Sequence, residues 1–348
     1  MEGESPPTQP YRPSRIHQFY NWIDRLPGPY WLYYLGVVVI VGLLNHLVAR
    51  REHVVASGTI NWYYALTAVF LGFHLFQIDF LLRVSRDTLV EFLPILDVSE
   101  TERDRIMFEF THLPARPTAI AFVFGMATGL GLAVSILPTA VEMNSAFPAL
   151  EVPVKALSSA VGLITVYMVT RAFVLTKRVY ELLSEINIFD LGSLYAMSRY
   201  SAWLLVLSVL QTYLVVALNP SLVSLGYYSV SLTLLVLVMA ALAFLIFWLP
   251  VRRVNRILTL EKRRLLKEVS FRIETTFNLL HARVDRQEFR CIVELRETLQ
   301  SLVIEKEFIE SLRTWPWERS TLTGLLSVFV LPLVVGLAIE IVSKFIPF

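Results

Sequence analysis

Long apolar runs separated by short polar stretches dominate this chain. About 20 mostly apolar residues in a helix cross a bilayer core, and a helix is required because backbone polar groups inside lipid must be bonded within the segment. Seven runs qualify, near 30–49, 60–82, 118–138, 153–175, 200–218, 227–249 and 321–346. Pro29, Pro117, Pro138, Pro153, Pro220 and Pro250 fall at or beside their predicted ends, where a missing amide costs least.

Beyond Pro250 the pattern becomes periodic. Val254, Leu258, Leu265, Val269, Ile273, Phe277, Leu280 and Val284 recur mostly in steps of three, four or seven, which places them on one helical face. Asp285 and Glu288 have capping-box spacing. A second helix is predicted next, with Ile292, Leu295, Leu299, Leu302 and Ile309 on one side and Lys306 interrupting the series. The expected fold is therefore all-α and polytopic: a tail over 1–28, six transmembrane helices over 29–250, a cytoplasmic helical hairpin over 251–316, and a seventh transmembrane helix over 317–348.

Two shorter segments, 97–110 and 181–200, have the character of helices that lie at a membrane surface or pack on the hairpin. Ser99 and Glu102 give the first a capping box. Trp315 and Trp317 fit an aromatic belt before the last run.

Composition strengthens the membrane reading. Of 348 residues, 55% are hydrophobic and 17% charged, against about 25% charged in a soluble domain. The net charge of +2 is too small to imply a nucleic-acid partner. A single cysteine, Cys291, excludes an internal disulfide and a thiolate metal cluster. The opening "MEGESPPTQPYRPSR" is polar and proline-rich and reads as a flexible tail.

Positive residues set the expected orientation. Arg12, Arg15 and Arg25, then Arg83, Arg86, Arg103, Arg105 and Arg116, then Lys177, Arg178 and Arg199 occupy alternate connections, whereas "TAVEMNSAFPALEV" and "NPSLVSLG" contain none. Only Arg50 and Arg51 go against this asymmetry. The expectation is a plasma-membrane protein with its N-terminus in the cytoplasm and its C-terminus outside.

Charged residues in and beside the runs are the candidate sites. Arg252, Arg253, Arg256, Lys262, Arg263, Arg264 and Lys267 form a basic stretch next to the sixth run. Its expected role is an anchor that holds topology and contacts anionic lipid headgroups, at about 1 kcal/mol per residue near the surface; a specific lipid or phosphorylated ligand site and nucleic acid are the other readings. Asp79 with Arg83, and Glu340 with Lys344, are each one turn apart and able to pair. Arg171 is placed to snorkel, and Asn45, His46, His74, Gln77 and Gln211 to bond between helices. Gly125 and Gly129 form a small-xxx-small pair that predicts close helix approach.

Catalytic motifs are lacking: there is no His-Glu-x-x-His, nucleophile elbow or Walker sequence. His17, His46, His53, His74, His112 and His281 do not cluster at ligand spacing. Neither an enzyme nor a bound cofactor or metal is expected.

The stretch "WLPVRRVNRILTLEKRRLLKE" with "LHARVD" and "TWPW" resembles a group of uncharacterised prokaryotic polytopic membrane proteins with a basic helical hairpin before their last span. The layout is also similar to the seven-helix ion-channel superfamily that includes insect odorant and gustatory receptors. That resemblance implies a homo-oligomer, a tetramer, with a cytoplasmic anchor domain and a pore lined by the seventh helix. Thr323 and Ser327 then line one end of the pore, and Val328, Leu331 and Val335 gate it by dewetting. Glu142, Glu151 and Glu340 lie toward the outer side and favour cations. The alternative is a non-conducting scaffold or sensor whose hairpin binds a partner.

Overall fold

The computed structural model describes residues 10–53, 62–142, 150–183, 188–189, 191–217, 228–287 and 292–315. These residues form α1 (Arg15–Ile23), α2 (Trp31–Arg51), α3 (Trp62–Phe92), a 3-10 turn (Leu93–Ile95), α4 (Glu100–Thr111), α5 (Ala115–Glu142), α6 (Glu151–Glu181), α7 (Gly192–Ala217), α8 (Tyr228–Asp285) and α9 (Ile292–Ser311). No strand occurs among them; Pro13 and Pro114 form an isolated antiparallel bridge. The last apolar run, with Thr323, Ser327, Val328, Leu331, Val335, Glu340 and Lys344, lies outside the described residues.

Four described helices are long and apolar enough to cross a membrane: Trp31–Arg51, Ala65–Ile95, Glu151–Glu181 and Gly192–Thr212. The exposed apolar side chains of α2 are compatible with a membrane. Ile40, Leu43 and Leu47 are each close to 60% exposed (59%, 58% and 58%), a surface that water disfavours and hydrocarbon does not.

α3 is the central element, packed against α2, α4, α6 and α7. Leu71, Ile78, Leu81, Leu89 and Phe92 of α3 join Ile164, Met168 and Tyr180 of α6 and Leu194, Met197 and Tyr200 of α7 in one core. α5 lies on α6, brought close by the expected glycine pair: a methyl at Gly125 would lie 2.5 Å from Ala160 Cα, and one at Gly129 2.7 Å from Ala156 Cα. α4 starts where Ser99 Oγ accepts from the Glu102 amide at 3.3 Å. It packs on α3 and α6, burying Ile106 and Phe110.

Several element boundaries differ from the sequence expectation; α3 continues to Phe92 rather than ending near 82. α7 begins at Gly192 rather than near 200, because Leu194, Ala196, Met197 and Tyr200 already face the core. Pro250 does not end a helix: α8 runs unbroken from Tyr228 to Asp285, 58 residues, or about 87 Å at 1.5 Å per residue. Val254 and Leu258 just beyond the proline are fully buried in the bundle core, and this packing holds the helix where the proline removes one bond.

α9 runs antiparallel to the distal part of α8. Ile292, Leu295, Leu299 and Leu302 are half-buried and Ile309 is buried, as the periodicity predicts. Lys262 Nζ donates to Glu310 O at 2.7 Å and Leu312 O at 2.8 Å. Three residues on, Trp315 meets Trp248 with ring centroids 5.4 Å apart. The α8 seam is buried at Val269 but Phe277 and Val284 are exposed, so it loosens toward the tip. Phe189, from the 181–200 connection, stacks on Phe308 of α9 at 6.1 Å.

Candidate functional site: polar contacts at the two ends of the bundle

Two groups of polar contacts stand at opposite ends of the bundle, one at the end carrying α4. At the α4 end the first described residues are docked; residues 1–9 of the expected tail lie outside the described residues. The Ser14 amide donates to Leu113 O at 2.8 Å and the Ala115 amide to Arg12 O at 3.0 Å. Tyr11 Oη donates to His112 O at 2.8 Å. Arg171 donates through Nη2 to Tyr11 Oη at 2.6 Å and through Nη1 to His112 O at 2.9 Å. Arg171 thereby ties α6 to Tyr11 and to the α4–α5 connection. Burial, opposed by Arg171, pushes the Tyr11 phenol up to about 12.

Beside this strap the His17 ring lies 4.2 Å from His112, and His112 stacks on Phe108 at 4.2 Å. Burial, then His112 and Arg86, pull the His17 pKa down to about 4; burial also lowers that of His112. Burial thus disfavours the charged form of both rings. An ion-pair network completes the cap: Arg178 reaches Glu102 at 2.8 Å and Glu109 at 3.1 Å, while Arg105 reaches Glu109 at 3.1 Å.

Asp79 and Arg83 pair as their spacing predicts, at 3.1 Å, but three further groups join them. Tyr34 Oη donates to Asp79 Oδ2 at 2.9 Å, Arg83 pairs with Asp24, and the Arg83 guanidinium lies 4.3 Å from the Tyr30 ring centroid. Together these contacts bind the α1–α2 connection, α2 and α3. One guanidinium is shared by the two carboxylates, so the cluster clamps these elements together.

At the opposite end Glu151 is fully buried. Asn45 Nδ2 donates to Glu151 Oε2 at 2.7 Å, Thr67 Oγ1 to Oε1 at 3.2 Å, and Lys155 Nζ stands 3.8 Å from Oε1. This carboxylate, read from sequence as one of three outer charges favouring cations, is enclosed where α2, α3 and α6 meet. Its burial was hidden because Asn45 and Thr67 come from helices 106 and 84 residues away.

The basic stretch divides. Lys262 holds the end of α9, and Arg264 pairs with Glu261 at 2.6 Å. Arg252, Arg256, Arg263 and Lys267 are exposed; Arg253 is helical. At about 100° per residue the four exposed side chains fall on one helical face, but they extend along it for about 22 Å. Only its first members, Arg252 and Arg256, adjoin the apolar run.

No three His, Cys, Asp or Glu among the described residues are grouped to hold a metal. Comparison with known proteins finds no matching family model, no similar curated protein and no similar solved structure.

Proposed function

We propose that the chain is a subunit of an oligomeric membrane channel with seven spans, its N-terminus and α8–α9 hairpin in the cytoplasm, and a pore lined by the last run. The observation that carries this reading is the single rod of α8. It seats Val254 and Leu258 in the bundle core and continues without a break to Asp285, so displacement at the hairpin is carried into the bundle. Outward apolar side chains on the hairpin, among them Phe271 at 68% and Ile304 at 66% exposure, favour a further protein surface over them. In this reading Val328, Leu331 and Val335 form a hydrophobic gate, and Leu331→Ser wets it. Purified protein in a planar bilayer is expected to conduct more with Leu331→Ser than unaltered, and Leu325→Ser, on another face, is the control. Absence of current from well-folded, assembled protein under all voltages and lipids sinks the channel.

A second reading, a non-conducting scaffold or sensor, is favoured by the large buried side chains Phe92, Tyr180 and Tyr200 filling the described bundle. Both readings need the same topology. With Cys291 replaced, cysteines at Ser145 and Ser221 should react with an impermeant external thiol reagent and one at Thr275 should not; reversed labelling overturns the orientation.

A further inference from the structure

The distal part of α8 and α9 form a two-helix slab whose register is set by Lys262, with Nζ donating to Glu310 O and Leu312 O. The faces that meet are marked on α8 by buried Val269 and on α9 by half-buried Leu295, Leu299 and Leu302. At about 100° per residue, a side chain two positions from an inward one points about 160° away from it. Lys267 and Phe271 stand in this way on either side of Val269. On α9, Glu297 lies between Leu295 and Leu299, and Ile304 comes two residues after Leu302. The slab therefore has two outer edges, and all four of these side chains are exposed.

The two edges match in level and differ in charge. Phe271 lies nine residues beyond Lys262, and Ile304 lies six and eight residues before Glu310 and Leu312. Their levels along the hairpin thus differ by at most about 5 Å at 1.5 Å per residue. By the same register Lys267 is level with Glu305 and Glu307, exposed neighbours of Ile304 on α9. One edge therefore offers an aromatic ring beside a cation, and the other an aliphatic side chain beside two carboxylates. Glu274 comes level with Glu297 and is the feature that opposes a match.

Copies inserted in one bilayer share an orientation, and rotation about the membrane normal leaves every level unchanged. Edges at one level can then meet, and water favours burial of the two apolar side chains. We propose that the α8 edge of one subunit's hairpin docks on the α9 edge of a second copy, with Phe271 packed on Ile304 and Lys267 facing Glu305 and Glu307. Opposite charges at matching positions fix the register of such a contact and disfavour α8 on α8. Because the two surfaces differ, the contact is head-to-tail, and its repetition closes a ring. This docking rests on the oligomeric reading above and is independent of conduction.

The test is thiol cross-linking of the full chain in membranes, with Cys291→Ser as the background and a short bis-maleimide as the reagent. Copies carrying only Phe271→Cys, co-expressed with copies carrying only Ile304→Cys, should yield a covalent dimer, and neither variant alone should. A chain with both changes should give a ladder of sizes that ends at the ring. Lys267→Glu should lower the yield severalfold, Glu305→Lys with Glu307→Lys should restore it in that background, and Glu274→Lys should raise it. A dimer from Phe271→Cys alone marks a two-fold contact, and a product of another mass marks a different partner. Either result, an absent cross-link, or a yield indifferent to these charges overturns the docking. A ladder from protein that never conducts sinks the channel alone, whereas conducting protein without the cross-link sinks the docking alone.

Discussion

Arg171 and Tyr11, 160 residues apart in the chain, are joined by a 2.6 Å hydrogen bond. Through that bond and the adjoining contact to His112 O, α6 holds the first described residues against the α4–α5 connection. A hydrogen bond to a charged group contributes about 1.5–3 kcal/mol. Tyr11→Phe removes both the acceptor for Arg171 and the donor to His112, and is expected to cost about 1–3 kcal/mol. Arg171→Lys should cost a similar amount, because an ammonium does not reproduce the fork. The double variant should cost less than the two single losses added, since they share one bond. Denaturant titration of the purified protein checks the sum; strict additivity would show the bond to be energetically idle.

The His17–His112 contact gives stability an acid-side dependence. His17 has its pKa pulled down to about 4 when folded, whereas an unfolded histidine titrates near about 6.5. Between these values the unfolded chain binds more protons, so stability rises with pH. The contribution is fully present above the unfolded value, drains away as pH falls through it, and is gone below the folded value. His112, Arg86 and Asp24 act on the ring. The thermal midpoint should fall between pH 7 and pH 5, and His17→Phe should reduce the fall. An identical fall in the variant would show that carboxylates cause all of it.

Two glycines of α5, Gly125 and Gly131, predict opposite outcomes for the same substitution. Gly125→Ala drives a methyl against Ala160 Cα and Ser159 O, at 2.5 and 2.7 Å, and overpacking of this kind costs about 1–3 kcal/mol. Gly131→Ala meets nothing within 4 Å and removes a flexible helical residue, so it should be neutral or stabilising by up to about 1 kcal/mol. Scanning fluorimetry in detergent distinguishes them. Equal midpoints would mean that α5 and α6 separate readily.

What was legible in the sequence was whatever repeats locally. Apolar run length marked α2, α3, α5 and α6, three-four spacing marked the buried side of α9, and Ser99 with Glu102 marked the start of α4. Pairs within one turn were also readable, as Asp79 with Arg83 proved. Contacts between distant segments carry no local signal. Nothing around Tyr11 announces Arg171, and His17 and His112 look isolated until α1 and α4 meet. Pro250 misled because helix continuation there depends on the burial of Val254 and Leu258, a tertiary effect.

Lys262 separates two roles that the basic stretch mixes. Its ammonium donates to the carbonyls of Glu310 and Leu312 at 2.7 and 2.8 Å, groups that the end of a helix otherwise leaves without intrahelical partners. A lysine there also opposes the negative end of the helix dipole. Arg263, next in sequence, is exposed. Lys262→Met keeps most of the alkyl stem and removes the donors, so its effect should be local: a loss of about 0.5–1.5 kcal/mol, seen as faster amide hydrogen exchange in the last turn of α9. Arg263→Met should leave that exchange unchanged and weaken binding to vesicles containing phosphatidylserine. The two variants are thus read by different measurements on the same protein. If Lys262→Met weakens vesicle binding and leaves the α9 amides protected, the ammonium faces lipid and the bond to α9 does not form in solution.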